Sequence, residues 1–230
     1  MPTIKENLNK INKQIIETAI SCGRKPETIQ LIAVSKRKSV EVIRQGIKAG
    51  AKHLGENYIQ EAVGKIDTIG KKSAVWHFIG HLQSNKAKIA VQYFEYIHTV
   101  DTLKLAKEIN KQAKKIDKTQ KIFLQVNISD EETKSGTDSK EAIELASQIS
   151  HFGNLSLQGL MCMPPFFSNP ESARIYFKQL KQIQEKITAR NFDNVSMEHL
   201  SMGMSNDFKV AIEEGSTMVR VGTSIFGSRE

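Results

Sequence analysis

Three features of this 230-residue chain combine residue types suited to holding a phosphate next to a reactive carbonyl. The blocks SMGMS at 201–205 and VGTS at 221–224 mix small residues with hydroxyls. Such loops let backbone N–H groups approach an anion closely. Arg220 places a guanidinium beside the second block. Lys36 follows the apolar run LIAVS at 31–35. An amine at the end of a buried strand loses solvation, which leaves more of it neutral for attack on a carbonyl. Each feature also has a plainer reading. Gly, Ser and Thr are common turn residues, and Lys36-Arg37-Lys38 is a charge run of the kind usually found in solvent.

Other candidates carry less. His77 and His81 are four apart, a ligand spacing on a helix. Here His77 falls within an expected strand and His81 just past it, with no carboxylate motif nearby, so no metal site is expected. His199 alternates with Glu198 along a strand, so one of the two should face inward, most simply as a hydrogen-bonded core residue. Met197, Met202, Met204 and Met218 read as adaptable packing. Cys22 and Cys162 are too few for a disulfide framework and lack metal-motif spacing. They suit a reducing, cytoplasmic address.

The elements that must position these residues follow one pattern. Ile4, Leu8, Ile11, Ile15 and Ala19 form a helical stripe at the front. Strands are then expected at 31–35, 53–55, 75–80, 96–100, 121–127, 155–161, 195–201 and 218–222. Between them helices are expected at 40–49, 57–69, 84–92, 102–116, 139–152, 170–189 and 207–214. Alternation of this kind specifies a parallel sheet with helical crossovers. Eight strands in 230 residues fit an α/β fold of one closed (β/α)8 TIM-type barrel over 1–230, with an extra N-terminal helix. The first strand is not followed by a Gly-x-Gly-x-x-Gly fingerprint, which argues against a dinucleotide fold. The polar stretch SDEETKSGTDS at 129–139 reads as a surface loop. In such a barrel the strands' C-terminal ends build the active site. Lys36, Asn57, Ser205, Arg220, Gly222 and Thr223 all fall at those ends.

Composition removes several classes. No stretch of 18 apolar residues occurs, so no membrane span is expected, and the N-terminus lacks the apolar region of a secretory signal. The formal net charge is +8. The lysines are scattered rather than clustered with aromatics, so they read as solvated helix faces and not as a specific nucleic-acid site. The positive field still favours anionic ligands.

A set of blocks resembles a known family nearly end to end. They are LIAVSK at 31–36, HLGENYIQEA at 53–62, WHFIGHLQSNK at 76–86, LQVNIS at 124–129 with KSG at 134–136, GLMCMPP at 159–165, HLSMGMSNDF at 199–208 and VRVGTSIFG at 219–227. The pattern is similar to that of the YggS/PROSC family of pyridoxal phosphate homeostasis proteins, related to the N-terminal barrel of alanine racemase. The resemblance implies that Lys36 carries pyridoxal 5'-phosphate as a Schiff base. It further implies cofactor contacts from Asn57, Ser205, Gly222 and Thr223, the last three on the phosphate, and places Arg220 at the pyridine nitrogen. His199, Met202 and Met204 lie in the same block and are expected nearby.

The resemblance also bears on chemistry. Arginine only donates hydrogen bonds, so it cannot accept one from a protonated ring nitrogen. Racemisation needs a base on each face of the substrate carbon. In alanine racemase one is a lysine and the other a tyrosine of the partner's second domain. This sequence ends three residues after the RVGTSIFG block. Among Tyr58, Tyr93, Tyr96 and Tyr176, only Tyr58 falls beside an expected active-site loop. The expectation is therefore a monomeric cofactor carrier that serves apo pyridoxal-phosphate enzymes. The enzyme alternative is a weak racemase or related activity.

Overall fold

The computed structural model describes residues 2–129 and 135–227. Helix α1 (Ile4–Ser21) starts at a capping box in which Thr3 and Glu6 satisfy each other's backbone N–H. Its stripe of Leu8, Ile11, Ile15 and Ala19 is buried as expected. The chain then alternates: β1 (Gln30–Val34), α2 (Val40–Lys48), β2 (His53–Glu56), α3 (Ile59–Ile69), β3 (Val75–Phe78), α4 (Ala87–Tyr93) and β4 (Tyr96–Val100). It continues through α5 (Leu103–Lys114), β5 (Gln120–Asn127), the two-residue β6 (Thr137–Asp138), α6 (Ala142–Ser150), β7 (Leu155–Met161) and α7 (Arg174–Thr188). The last elements are β8 (Val195–Met204), α8 (Phe208–Glu213), β9 (Met218–Val221) and α9 (Thr223–Phe226).

Every strand pairing is parallel. The order runs β4-β3-β2-β1-β9-β8-β7-β5, and a further β4–β5 pairing closes the eight strands into a barrel. Helix α1 packs against α2, α8 and α9, bridging the first and last units. Asn7 fixes that seam by donating to the Ile225 carbonyl at 3.1 Å.

Two apolar clusters result. The large one fills the shell between strands and helices. The small one, Ile32, Phe123, Met161 and Met218 with Tyr96 against it, lies inside the barrel. Branched aliphatics usually dominate such interiors. Here histidines from β2, β3, β4 and β8 share the space.

Several expectations are corrected. The helices expected from 84 and 170 begin with 3-10 turns at Ser84–Lys86 and Pro170–Ala173, so α4 and α7 start later. Strand β8 runs three residues past its expected end, to Met204. Within the stretch read as a surface loop, Thr137–Asp138 pairs with Val126 and Asn127 of β5 as β6. Residues 130–134 of that stretch, including Lys134 of the KSG block, lie outside the described residues.

Candidate functional site

A cavity of about 370 Å³ opens at the C-terminal ends of the strands. Its walls include Lys36, Asn57, Ser205, Arg220, Gly222 and Thr223. All six residues expected from the sequence thus face one space. Val34, Ile79, Met163, Phe166, Met204, Asn206 and Asp207 complete it and were not singled out as ligand contacts, Met204 excepted. Ile79 and the Met163–Phe166 stretch follow directly on β3 and β7, so strand-end position was the signal for them.

Backbone geometry turns Lys36 inward. Lys36 is half-buried, and the next residue, Arg37, is exposed with φ at +58°. That left-handed conformation is rare for a residue with a Cβ. It sends Arg37 outward, where its guanidinium sits 5.8 Å from the centre of the Tyr58 ring. The charge run is therefore split, with Lys36 in the cavity and Arg37 at the surface. Behind Lys36 the Ser35 carbonyl is held at 2.8 Å by the buried Lys65. Lys65 is a correction, since the lysines were read as solvated.

Two loops, after the neighbouring strands β9 and β8, form another wall. Gly203 adopts φ +91°, and a Cβ there would lie 2.5 Å from Ala211 Cβ. The SMGMS turn needs glycine for both reasons. Asp207 accepts from the Met204 N–H at 2.6 Å and precedes α8, which fixes Ser205 and Asn206 on the cavity side. In the second loop Gly222 approaches Val34 so closely that an added Cβ would meet its Cβ and carbonyl oxygen at 3.2 Å. Thr223 then begins α9, a turn not foreseen in the sequence. Gly203→Ala is expected to cost on the order of 1–3 kcal/mol from strain and overpacking. Thermal unfolding would show this as a lower Tm, and an unchanged Tm would contradict the account.

Arg220 is 4% exposed. Its Nη1 donates to Ser201 Oγ at 2.6 Å and its Nη2 to the Cys162 carbonyl at 2.9 Å. A guanidinium has five N–H donors, so donors remain for a ligand in the cavity it lines. Cys162 itself is fully buried, and burial pushes its thiol up to about 12.

The remaining candidates separate. His199 is half-buried, 3.2 Å from Thr217 Oγ1, and Met202 is buried in the shell, so neither lines the cavity. His77 is buried between His53 and His98, whereas His81 is exposed. Among the described residues no group of three His, Cys, Asp or Glu side chains is placed to hold a metal ion. None of the four tyrosines is among the lining residues.

The cavity suits an aromatic aldehyde bearing a phosphate. Its lining supplies one amine, two small-residue loops and a buried cation. Asn57 adds a polar contact, since its Oδ1 is buried in the cavity wall with no protein partner. Such an orphaned acceptor costs free energy unless a ligand or water satisfies it.

The chain matches the family model described as alanine racemase, N-terminal domain, over residues 4–230. It is 42% identical to a pyridoxal phosphate homeostasis protein of Vibrio alginolyticus, covering 100% of this chain and 99% of that one. It is 40% identical to the protein of the same name from Escherichia coli, covering 100% and 98%. Among solved structures, PipY of Synechococcus elongatus with PLP bound is similar at a TM-score of 0.82 and 34% identity, over 93% of this chain and 100% of that one. An alanine racemase of Clostridium difficile, 17% identical with a TM-score of 0.75, shares the fold over 97% of this chain and 56% of its own length. Matched over its whole length at this identity, the chain belongs to the alanine racemase N-terminal-domain family, in its pyridoxal phosphate homeostasis branch.

Proposed function

We propose that this protein binds pyridoxal 5'-phosphate in the strand-end cavity and takes part in intracellular homeostasis of the cofactor, holding and handing it on. The observation that carries the reading is the convergence of Lys36, the 201–205 and 221–224 loops and Arg220 on one space. The name of the relatives and the bound PLP of PipY support it.

Within this reading Lys36 Nζ is the covalent anchor. Ser205, Gly222 and Thr223 receive the phosphate through hydroxyls and backbone N–H groups, and Asn57 turns its amide to the ring. Pyridoxal phosphate, when bound, supplies an aldehyde to amines and an electron sink to carbanions. Arg220 limits the second role. It is a permanent donor, so it favours an unprotonated ring nitrogen, which weakens the sink.

Among the described residues the walls do not offer the paired bases that racemisation needs. No tyrosine lines the cavity, and Asp207 is engaged by the Met204 N–H. These features favour a carrier over an efficient enzyme. The two free cysteines suit a cytoplasmic address, and apo pyridoxal-phosphate enzymes are the natural recipients.

The test is to titrate purified protein with pyridoxal phosphate, follow the visible band, reduce with borohydride and map the modified peptide. The expected result is one adduct, on Lys36. No adduct there at saturating cofactor overturns the reading. Amino-acid α-proton exchange at ordinary enzyme rates, ~1–10³ s⁻¹, would replace the carrier with an enzyme.

A further inference from the structure

The barrel interior contains a continuous file of polar side chains that the proposed function does not use. Arg220 Nη1 lies 2.6 Å from Ser201 Oγ, and Ser201 Oγ lies 2.9 Å from His98 Nδ1. His98 Nε2 lies 2.9 Å from His77 Nδ1, and His77 Nε2 lies 3.0 Å from His53 Nδ1. Ser201, His98 and His77 have no solvent exposure. His53 is half-buried at the start of β2, where it lines two cavities at the strands' N-terminal ends. The file thus runs from one mouth of the barrel to the wall of the cofactor cavity. Stacking clamps its rings. Tyr96 lies on His77 with centroids 4.6 Å apart and planes 3° from parallel, and Phe123 lies on His98 at 4.3 Å and 15°.

One end condition orients every proton in the file. Arg220 can only donate, so Ser201 Oγ accepts from it. The hydroxyl hydrogen of Ser201, a residue with no solvent exposure, then needs an acceptor, and His98 Nδ1 is within hydrogen-bond reach at 2.9 Å. His98 therefore carries its proton on Nε2 and donates to His77 Nδ1. By the same logic His77 donates through Nε2 to His53 Nδ1. Every member donates away from Arg220 and turns a lone pair toward it. The scheme requires neutral rings. Burial first, then neighbouring positive groups, hold His77 and His98 well below the usual imidazole range.

Arg220 makes no ion pair among the described residues, and Asp207 acts on it only at longer range. We propose that Ser201 and His98 are positioning residues for Arg220. Through the oriented file they compensate its buried charge in place of a carboxylate and fix the face it turns to the cavity.

The test has two arms, of which only the second rests on the cofactor reading. In the first, ¹⁵N NMR of the histidine rings in cofactor-free protein is expected to show His77 and His98 neutral and protonated on Nε2 between pH 6 and pH 8. A proton on Nδ1, or a charged ring, at either position overturns the proposal. In the second, Ser201→Ala is expected to retain pyridoxal phosphate roughly tenfold more weakly, with a shifted absorption band. Ser201→Thr, which keeps the hydroxyl, should restore both. Wild-type affinity and band position in Ser201→Ala overturn the proposal. Failure of the wild type itself to bind the cofactor would instead defeat the functional reading and leave the NMR arm to decide this one. The NMR arm also decides if Ser201→Ala does not fold.

Discussion

Lys36→Ala is expected to abolish the borohydride-trapped adduct and to weaken retention of pyridoxal phosphate by at least about a hundredfold, ~2.7 kcal/mol. No other lysine lines the cavity among the described residues, so nothing there can replace its amine. The 201–205 and 221–224 loops proposed to receive the phosphate are untouched by the change, so weak, freely reversible binding should persist. Melting curves separate this from misfolding. Lys36 is half-buried at the end of a strand and carries little of the core, so the cofactor-free variant should unfold like the wild type. Only the rise in Tm on adding cofactor should shrink, because a ligand stabilises the folded state in proportion to its affinity. Lys48→Ala, at the end of α2 and absent from the cavity wall, should behave as the wild type. A Lys36→Ala protein that still traps one equivalent of cofactor would refute the anchor.

Lys65→Met is expected to cause the largest loss of stability, about 3–5 kcal/mol at neutral pH. Lys65 Nζ bonds Ser35 O at 2.8 Å, Glu56 Oε1 at 2.9 Å and Glu61 Oε1 at 2.5 Å. Ser35 Oγ also donates to Glu56 Oε1, at 2.6 Å. The Glu56 side chain has no exposure, and its Oε2 is already without a partner. Removing the ammonium leaves a buried carboxylate without its main compensation. Burial raises the Glu56 pKa above its ordinary 4.5, and Lys65 and Ser35 only partly oppose this. The folded state therefore holds the Glu56 proton more tightly than the unfolded state. This group's contribution to stability falls as pH rises from 4.5 through the folded pKa. Without Lys65 that pKa climbs further, so the variant's deficit should be larger at high pH and shrink as pH falls and the carboxyl protonates. Urea unfolding at pH 7.5 and pH 5 measures the difference, and Glu56→Gln in the variant should recover part of it. An equal loss at both pH values, with no recovery, would rule out the buried charge as the cause. Cofactor capture should also weaken, since Lys65 holds the carbonyl next to Lys36.

The elements were most legible where β-rich runs stand between clear breakers. Strands β4 and β7 keep their expected bounds, 96–100 and 155–161. The phosphate-type loops were less so. Gly203 and the residues around it read as the turn after β8, yet β8 continues through them to Met204, which pairs with Arg220 of β9. A glycine that breaks a local pattern can still sit in a ladder when a neighbouring strand supplies its pairing. Helix α9 was hidden for a similar reason, as four residues are too few for periodicity to register.

The sequence by itself determined the chemistry on offer and the end of the barrel where it would gather. Lys36, Asn57 and the two small-residue blocks sit at strand ends, and a parallel barrel brings all its strand ends to one mouth. Alternation could also place His199 or Glu198 inward, because parity along a strand is a local property. The tertiary structure alone decided which inward residues meet. His53, His77, His98 and Ser201 stand 24, 21 and 103 residues apart along the chain. Their contact depends on the stagger summed over successive strand pairings, with irregular register between β4 and β5 and around β8. That stagger is set by hydrogen-bond ladders between distant segments. It turned four ordinary-looking strand residues into one file ending on Arg220, and buried Lys65 beneath the lysine that the sequence had marked.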